Sequence, residues 1–197
     1  NGNPGYMNNL GQALDAVGNA SEAVNCYKKA LEIQPNNADF LNNIGISFNF
    51  LERYDEAMSA FEKALSLTRN DPAIFHNFGI LLQEMKTYPE AIECYRSALS
   101  LDPSMPSVHG SLASALEAVG QRDLAEQSYF SAIKLDPFYM AAHEGLQKIR
   151  WAARKTDLLH ESYQYACKVC PTSGIAFCNL AQSLFYFDEY DAAFEAV

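Results

Sequence analysis

A column of small residues recurs every 34 positions and constrains the fold of this chain more than any other feature. The column consists of Gly11, Gly45, Gly79, Ala113, Gln147 and Ala181. A fixed period of this length is typical of a protein built from stacked supersecondary units. Each period also contains two apolar stripes of helical spacing, separated by a short polar turn such as "VGNAS". The sequence therefore predicts a row of helical hairpins.

Two further columns indicate how each hairpin is closed. An aromatic column in the second helix consists of Tyr27, Phe61, Tyr95, Tyr129 and Tyr163. A proline column follows that helix and consists of Pro35, Pro103, Pro137 and Pro171. Small residues allow two helices to approach closely, and a large aromatic ring fills the space between neighbouring units. Proline ends the second helix because it lacks the backbone N–H that would continue the hydrogen-bond ladder.

The pattern Leu10-Gly11-x-x-Leu14, Ala23-x-x-x-Tyr27, Ala30, Pro35 resembles the tetratricopeptide repeat (TPR). The predicted repeats span 4–37, 38–71, 72–105, 106–139, 140–173 and, in part, 174–197. The resemblance implies an all-α fold, a right-handed TPR superhelix (α-solenoid) of helix-turn-helix repeats over 1–197, with five full repeats and a partial sixth. In such a superhelix the first helices line a concave groove.

Two features depart from a regular array. Gln147 replaces the small residue of the fifth repeat, and Arg150 stands where an apolar residue is expected. The first helix of that repeat is therefore predicted to be shifted or differently packed. Terminal repeats normally carry a polar cap, and no cap is recognisable before Val197, so the chain is interpreted as a fragment of a longer protein.

Asparagine recurs at the sixth position of the first helix, although it is about 0.5–0.7 kcal/mol less favourable there than alanine. The residues are Asn9, Asn43, Asn77 and Asn179. At 100° per residue, positions 2, 5, 6, 9, 12 and 13 of each repeat lie opposite the core of their own hairpin and form what we call the groove face. An amide side chain offers one acceptor and two donors, which match a peptide bond.

The asparagines are therefore predicted to form a ladder that holds an extended segment by its backbone. A similar ladder is a feature of the TPR arm of O-linked N-acetylglucosamine transferase. The alternatives are that these amides are solvated surface or that they bridge neighbouring helices. The predicted peptide-binding residues are Asn8, Asn9, Gln12, Asp39, Asn42, Asn43, Ile46, Phe50, His76, Asn77, Ile80, Glu84 and Glu117.

Charge limits the partners. The formal net charge is −10, which disfavours nucleic acid and anionic membranes. The groove face carries more acids than bases, so a neutral or basic extended segment is the predicted partner. These acids also have a simpler interpretation as solubilising surface charges. Five scattered cysteines indicate a reducing, cytoplasmic compartment rather than a disulfide scaffold.

No catalytic motif or cofactor-binding loop is recognisable, and the Cys167-x-x-Cys170 pair is interpreted as structural rather than as a metal site. The sequence predicts a protein- or peptide-binding scaffold without a cofactor or catalytic residues. One alternative is the substrate-recruiting arm of a larger enzyme, of the glycosyltransferase or 2-oxoglutarate oxygenase type. Another is a self-assembling module that associates through open solenoid ends.

Overall fold

A computed structural model describes residues 2–155 and 158–186 of the 197-residue chain. Within these ranges the secondary structure is helical, with eleven α-helices and no strand. The helices are α1 Pro4–Ala16, α2 Ala20–Ile33, α3 Ala38–Phe50, α4 Tyr54–Leu67, α5 Pro72–Glu84, α6 Tyr88–Leu101, α7 Pro106–Ala118, α8 Arg122–Leu135, α9 Met140–Ala152, α10 Glu161–Val169 and α11 Gly174–Tyr186. The predicted all-α fold is confirmed. The remainder of the predicted sixth repeat, residues 187–197, lies outside the described residues.

Local chemistry sets the helix starts and the turns. The side chains of Asn3, Asn37 and Asp71 cap α1, α3 and α5 by accepting hydrogen bonds from backbone N–H groups of the first turn. The turns after α1, α3, α5, α7 and α9 each pass through a left-handed residue. In the first hairpin this residue is Gly18, with φ of 81°, and the equivalent Lys86 adopts φ of 62°. Glycine adopts this conformation without a steric penalty.

The helices form two compact units, one up to Pro103 and the other from Ser104 onwards. In the first unit, α1 pairs with α2, α3 with α4 and α5 with α6, and α2 and α4 also pack on α3 and α5 of the hairpins that follow them. The first helices α1, α3 and α5 contact one another in order. This order places their groove faces side by side.

The small column is explained by the rings that lie against it. A Cβ atom added to Gly11 would lie 2.6 Å from the Tyr27 ring, and one added to Gly79 would lie 2.5 Å from the Tyr95 ring. Both tyrosines are fully buried. The pairing of a glycine in the first helix with an aromatic residue in the second therefore sets the close approach within the first three hairpins.

The fourth and fifth repeats, in the second unit, depart from this arrangement. Ala113 occupies the small column, and the Tyr129 ring instead lies against Gly145 in α9. Helix α9 has the same length and position within its repeat as the earlier first helices, so it is not shifted along the sequence. Among the described residues, however, α9 and α10 lack the close backbone approach of the earlier hairpins. The predicted difference in packing is therefore observed.

The fifth repeat also has a shortened second helix. Helix α10 contains 9 residues, compared with 14 in α8. The buried Arg150 side chain donates to the Glu126 carboxylate at 2.8 Å, to the Glu161 carboxylate at 2.7 Å and to the Leu158 carbonyl at 2.6 Å. These bonds explain the unexpected arginine, because a buried guanidinium requires nearby carboxylates and carbonyl oxygens.

Candidate functional site

The groove asparagines of the first unit are paired across neighbouring helices. Asn43 Nδ2 in α3 donates to Asn8 Oδ1 in α1 at 2.9 Å. Asn77 Nδ2 in α5 donates to Asn42 Oδ1 in α3 at 3.0 Å. The residue at position 6 of one repeat thus bonds the residue at position 5 of the repeat before it. The sequence left open whether these amides bind a ligand, are solvated or bridge neighbouring helices. For these four asparagines, the structure shows that they bridge neighbouring helices.

The pairing leaves hydrogen-bonding groups at each bridge. Asn43 uses one N–H, and no protein partner of its Oδ1 or its second N–H is described. Asn8 uses only Oδ1 and is 8% exposed, whereas Asn42, Asn43 and Asn77 are half-buried. Each pair therefore retains both an acceptor and donors beyond those that join the helices. Asn9 is exposed, and it has no described partner for its side chain.

Other predicted residues surround these pairs. Ile46 and Phe50 in α3 are 39% and 73% exposed, and Ile80 in α5 is half-buried. Three polar members are also exposed: Gln12, Asp39 and Glu84. The structure therefore places amides, apolar side chains and acids on the first helices of one unit. We call this surface the amide groove and define it by Asn8, Asn9, Asn42, Asn43, Ile46, Phe50 and Asn77.

Two predicted residues differ from this set. The His76 ring is half-buried with its centroid 5.8 Å from that of Tyr95, and burial lowers the pKa of His76. This histidine is therefore neutral at pH 7. Glu117 belongs to the second unit, where its carboxylate lies 2.7 Å from the Lys148 ammonium. Its charge is largely compensated, which reduces its value as an anchor for a basic partner.

A second polar column lies at position 12 of the first helices, and its hydrogen bonds to the aromatic column were not predicted from the sequence. Asp15 accepts hydrogen bonds from the hydroxyl groups of Tyr27 and Ser47, in each case at 2.8 Å to Oδ2. Gln83 accepts from the Tyr95 hydroxyl at 3.1 Å. Burial and then the Asp15 hydrogen bond raise the pKa of Tyr27, so its hydroxyl remains a donor. The Asp15 carboxylate thus joins α1 to both α2 and α3.

The second repeat breaks this column. Phe61 stands in the aromatic position and has no hydroxyl, and the side-chain amide oxygen of Asn49, at the position equivalent to Asp15 and Gln83, is buried without a described partner. Native structures leave few buried polar atoms without a partner. Asn49 and Phe61 are 12 positions apart, as are the residues of the two hydrogen-bonded pairs, Asp15 with Tyr27 and Gln83 with Tyr95.

The second unit contains a cleft of about 590 Å³ between α9 and α11. Its lining residues are Met140, Glu144, Gln147, Lys148, Trp151, Tyr163, Asn179, Gln182 and Ser183. Asn179, predicted as part of the asparagine column, donates to the Met140 sulfur at 3.3 Å instead of to another asparagine. The groove-face pattern marked Glu144, Lys148 and Trp151, but it gave no signal that a cleft separates these helices.

The remaining candidates are explained by packing or are reported without further conclusion. Cys167 is buried, burial raises the pKa of its thiol, and all five cysteines are free thiols. His143 is buried in a stack on Tyr163, with ring centroids 4.3 Å apart. Within the described ranges, no cluster of three or more metal-ligating side chains occurs. The helices in these ranges are too short or too polar to cross a membrane.

The hairpins and their lateral asparagine bonds define the class of the protein: it is an α-helical repeat protein. Sequence profiles then identify the repeat. A TPR repeat profile matches residues 11–49, and a tetratricopeptide repeat profile matches residues 38–71 and 72–105. The matched residues, 11–105, therefore belong to tetratricopeptide repeats. A search of curated protein sequences finds no match.

Solved structures share the fold at low sequence identity. The pilF protein of Pseudomonas aeruginosa is 19% identical with a TM-score of 0.79, and the match covers 98% of this chain and 88% of pilF. MamA from Desulfovibrio magneticus RS-1 is 20% identical with a TM-score of 0.72 and coverage of 87% and 97%. YrrB, described as a TPR protein with an unusual peptide-binding site, is 22% identical with a TM-score of 0.64 and coverage of 86% and 88%.

Proposed function

We propose that the chain is a non-catalytic scaffold whose amide groove holds an extended, neutral or basic segment of a protein partner. The observation that carries the proposal is the pairing of Asn43 with Asn8 and of Asn77 with Asn42. The pairing fixes the orientation of the amides before any ligand arrives. A preorganised amide loses less conformational entropy on binding than a freely rotating surface side chain.

The amides suit a peptide backbone. An extended backbone presents N–H and C=O groups, and each asparagine pair retains an acceptor and donors for them. Packed helices lie about 8–10 Å apart, a distance that an extended chain covers in about three residues. The proposed segment therefore makes an amide contact on average once in about three residues, from α1 to α5.

The side chains around the amides supply the rest of the recognition. Phe50 is 73% exposed, and an exposed aromatic residue beside polar groups is a common feature of binding surfaces. Asp39 and Glu84 add negative charge, which favours a neutral or basic segment. The description of YrrB as a peptide-binding TPR protein supports the same type of ligand. The free thiols are consistent with the proposed cytoplasmic location.

The test starts from a peptide selected on the wild-type chain from a randomised display library. Its affinity is then measured for the triple variant Asn9→Ala, Asn43→Ala, Asn77→Ala. Each lost neutral hydrogen bond is worth about 0.5–1.5 kcal/mol, so the triple variant should bind roughly 10- to 1000-fold more weakly. Asn25→Ala, at an exposed position of α2, is the matched control and should leave the affinity unchanged.

Two further variants separate bridging from ligand binding. Asn8→Asp and Asn42→Asp keep an oxygen that accepts from Asn43 and Asn77, but they remove the remaining N–H donors at those positions. The proposal expects weaker binding of a neutral peptide with unchanged helix content. If the triple variant remains folded and all these variants bind the selected peptide as the wild type does, the amides only join helices and the proposal fails.

A further inference from the structure

The cleft between α9 and α11 is bridged by a long side chain of the fifth repeat. Gln147 stands where the first four repeats have glycine or alanine, and its Nε2 donates to Ser183 Oγ and to the Leu159 carbonyl. The side chain spans the space that a close helix contact would otherwise remove. Tyr163, which is buried, is the lining residue that α10 contributes. The volume of about 590 Å³ falls within the range of about 300–1,000 Å³ for ligand pockets.

The cleft combines apolar surface with an uncompensated carboxylate. Trp151 is 58% exposed and Met140 is 38% exposed. Glu144 is exposed, and in the described part of the chain no basic group lies within ion-pairing distance of it. The charge of Lys148 is compensated by Glu117 at 2.7 Å. Glu144 is therefore the charged lining group that has no ion-pair partner among the described residues, whereas Lys148 is paired with Glu117.

We propose that this cleft binds the basic side chain, arginine or lysine, of an extended peptide. An aromatic face attracts a cation, and a carboxylate beside it compensates the charge. The aliphatic stem of such a side chain packs against apolar surface while its head reaches a polar group. An acidic side chain would be repelled by Glu144, and a purely apolar one would leave this carboxylate without compensation.

The proposal goes beyond the amide groove and does not depend on it. The cleft lies on helices of the second unit, whereas the paired asparagines lie on α1, α3 and α5 of the first. Either site could bind its ligand if the other did not. The cleft also adds a specific chemical requirement, a positive charge, that backbone recognition by amides does not impose.

The sequence provides an internal reporter for the test. Trp151 is the single tryptophan of the chain, so its fluorescence responds to this cleft alone. The wild-type chain is titrated with the capped peptide acetyl-Gly-Gly-Arg-Gly-Gly-amide and with the same peptide carrying citrulline, the neutral isostere of arginine. We expect a saturable fluorescence change with the arginine peptide and at least about threefold weaker binding of the citrulline peptide.

A charge variant then locates the contact. Glu144→Gln should weaken binding of the arginine peptide roughly three- to tenfold and leave the citrulline peptide unaffected. Glu22→Gln, which removes an exposed acid from α2, should bind the arginine peptide as the wild type does. Circular dichroism checks that each variant is folded.

Three results would overturn the proposal. The first is the absence of a saturable response to the arginine peptide. The second is equal affinity for the arginine and citrulline peptides, or wild-type affinity of Glu144→Gln for the arginine peptide. The third is binding of ethylguanidinium as tight as that of the arginine peptide, which would identify a site for a small cation rather than for a peptide.

Discussion

Replacement of Phe61 by tyrosine should stabilise the protein, although the substitution places a hydroxyl group in a fully buried position. In the first and third repeats the aromatic hydroxyl donates to the residue at position 12, with distances of 2.8 Å for Tyr27 to Asp15 and 3.1 Å for Tyr95 to Gln83. In the second repeat the corresponding Asn49 oxygen is buried without a described partner. The new hydroxyl would donate to it.

The expected gain is that of one buried hydrogen bond. Such a bond contributes about 0.5–1.5 kcal/mol, and about 1 kcal/mol corresponds to roughly 2–4 °C in Tm for a chain of this size. Urea unfolding followed by circular dichroism should show a higher midpoint at an unchanged m-value. Because repeat arrays unfold in parts, hydrogen exchange should show the added protection in α3 and α4.

Matched variants determine whether the reasoning is right. Tyr95→Phe removes the equivalent hydroxyl from the third repeat and should destabilise the protein by about 0.5–1.5 kcal/mol. In the background of Asn49→Ala, Phe61→Tyr should bring no gain because the acceptor is absent. The reasoning is refuted if Phe61→Tyr destabilises the protein, or if its gain is the same with and without the Asn49 side chain.

Two further predictions concern packing and ionic contacts. Gly79→Ala places a Cβ atom 2.5 Å from the Tyr95 ring and should lower the free energy of unfolding, measured by thermal unfolding, by about 1–3 kcal/mol. Gly174→Ala, where an added Cβ would have no atom within 4 Å, should be close to neutral. Equal effects of the two substitutions would contradict the role given to the glycine column. Burial alone would raise the pKa of Glu126, but hydrogen bonds from Lys155 and Arg150 outweigh burial and lower the pKa below 4.5. These ionic hydrogen bonds therefore stabilise the folded state above pH 4.5, and the stabilisation is lost as the pH falls through the pKa of Glu126 in the folded state. Arg150→Met should lower the free energy of unfolding by about 3 kcal/mol at neutral pH. Urea titrations at several pH values should also show that the variant loses less stability on acidification than the wild type. An unchanged dependence on pH would rule out Arg150 as a cause of the lowered pKa of Glu126.

The sequence predicted the features that repeat within a hairpin. The small residue at Gly11 indicated helices that approach closely. Helical periodicity likewise placed Asn43 and Asn77 opposite the core of their own hairpins. These inferences succeed since they depend only on local geometry, which the repeat period restates in each unit. The Tyr27 ring was predicted to fill the space between neighbouring units, whereas the structure places it against Gly11 of its own hairpin.

Contacts between repeats were not predictable in the same way. The bond from Asn43 to Asn8 depends on how far one hairpin is offset against the next, and helical periodicity does not specify that offset. The side-chain oxygen of Asn49 has no described partner because Phe61, in the neighbouring helix α4, has no hydroxyl group. Gln147 and Arg150 indicated an irregular fifth repeat, but the late start of α10 and the cleft between α9 and α11 depend on tertiary packing that the sequence pattern does not specify.

The central claim, that the paired asparagines bind a peptide backbone, is tested most directly by nuclear magnetic resonance of the side-chain amides. The Nδ2 resonances of Asn8, Asn42, Asn43 and Asn77 can be assigned from single alanine variants. On addition of the library-selected peptide, the account predicts large shifts of these resonances and intermolecular contacts between them and the peptide backbone. Binding that leaves all four resonances unmoved and shifts only signals of the second helices would contradict it.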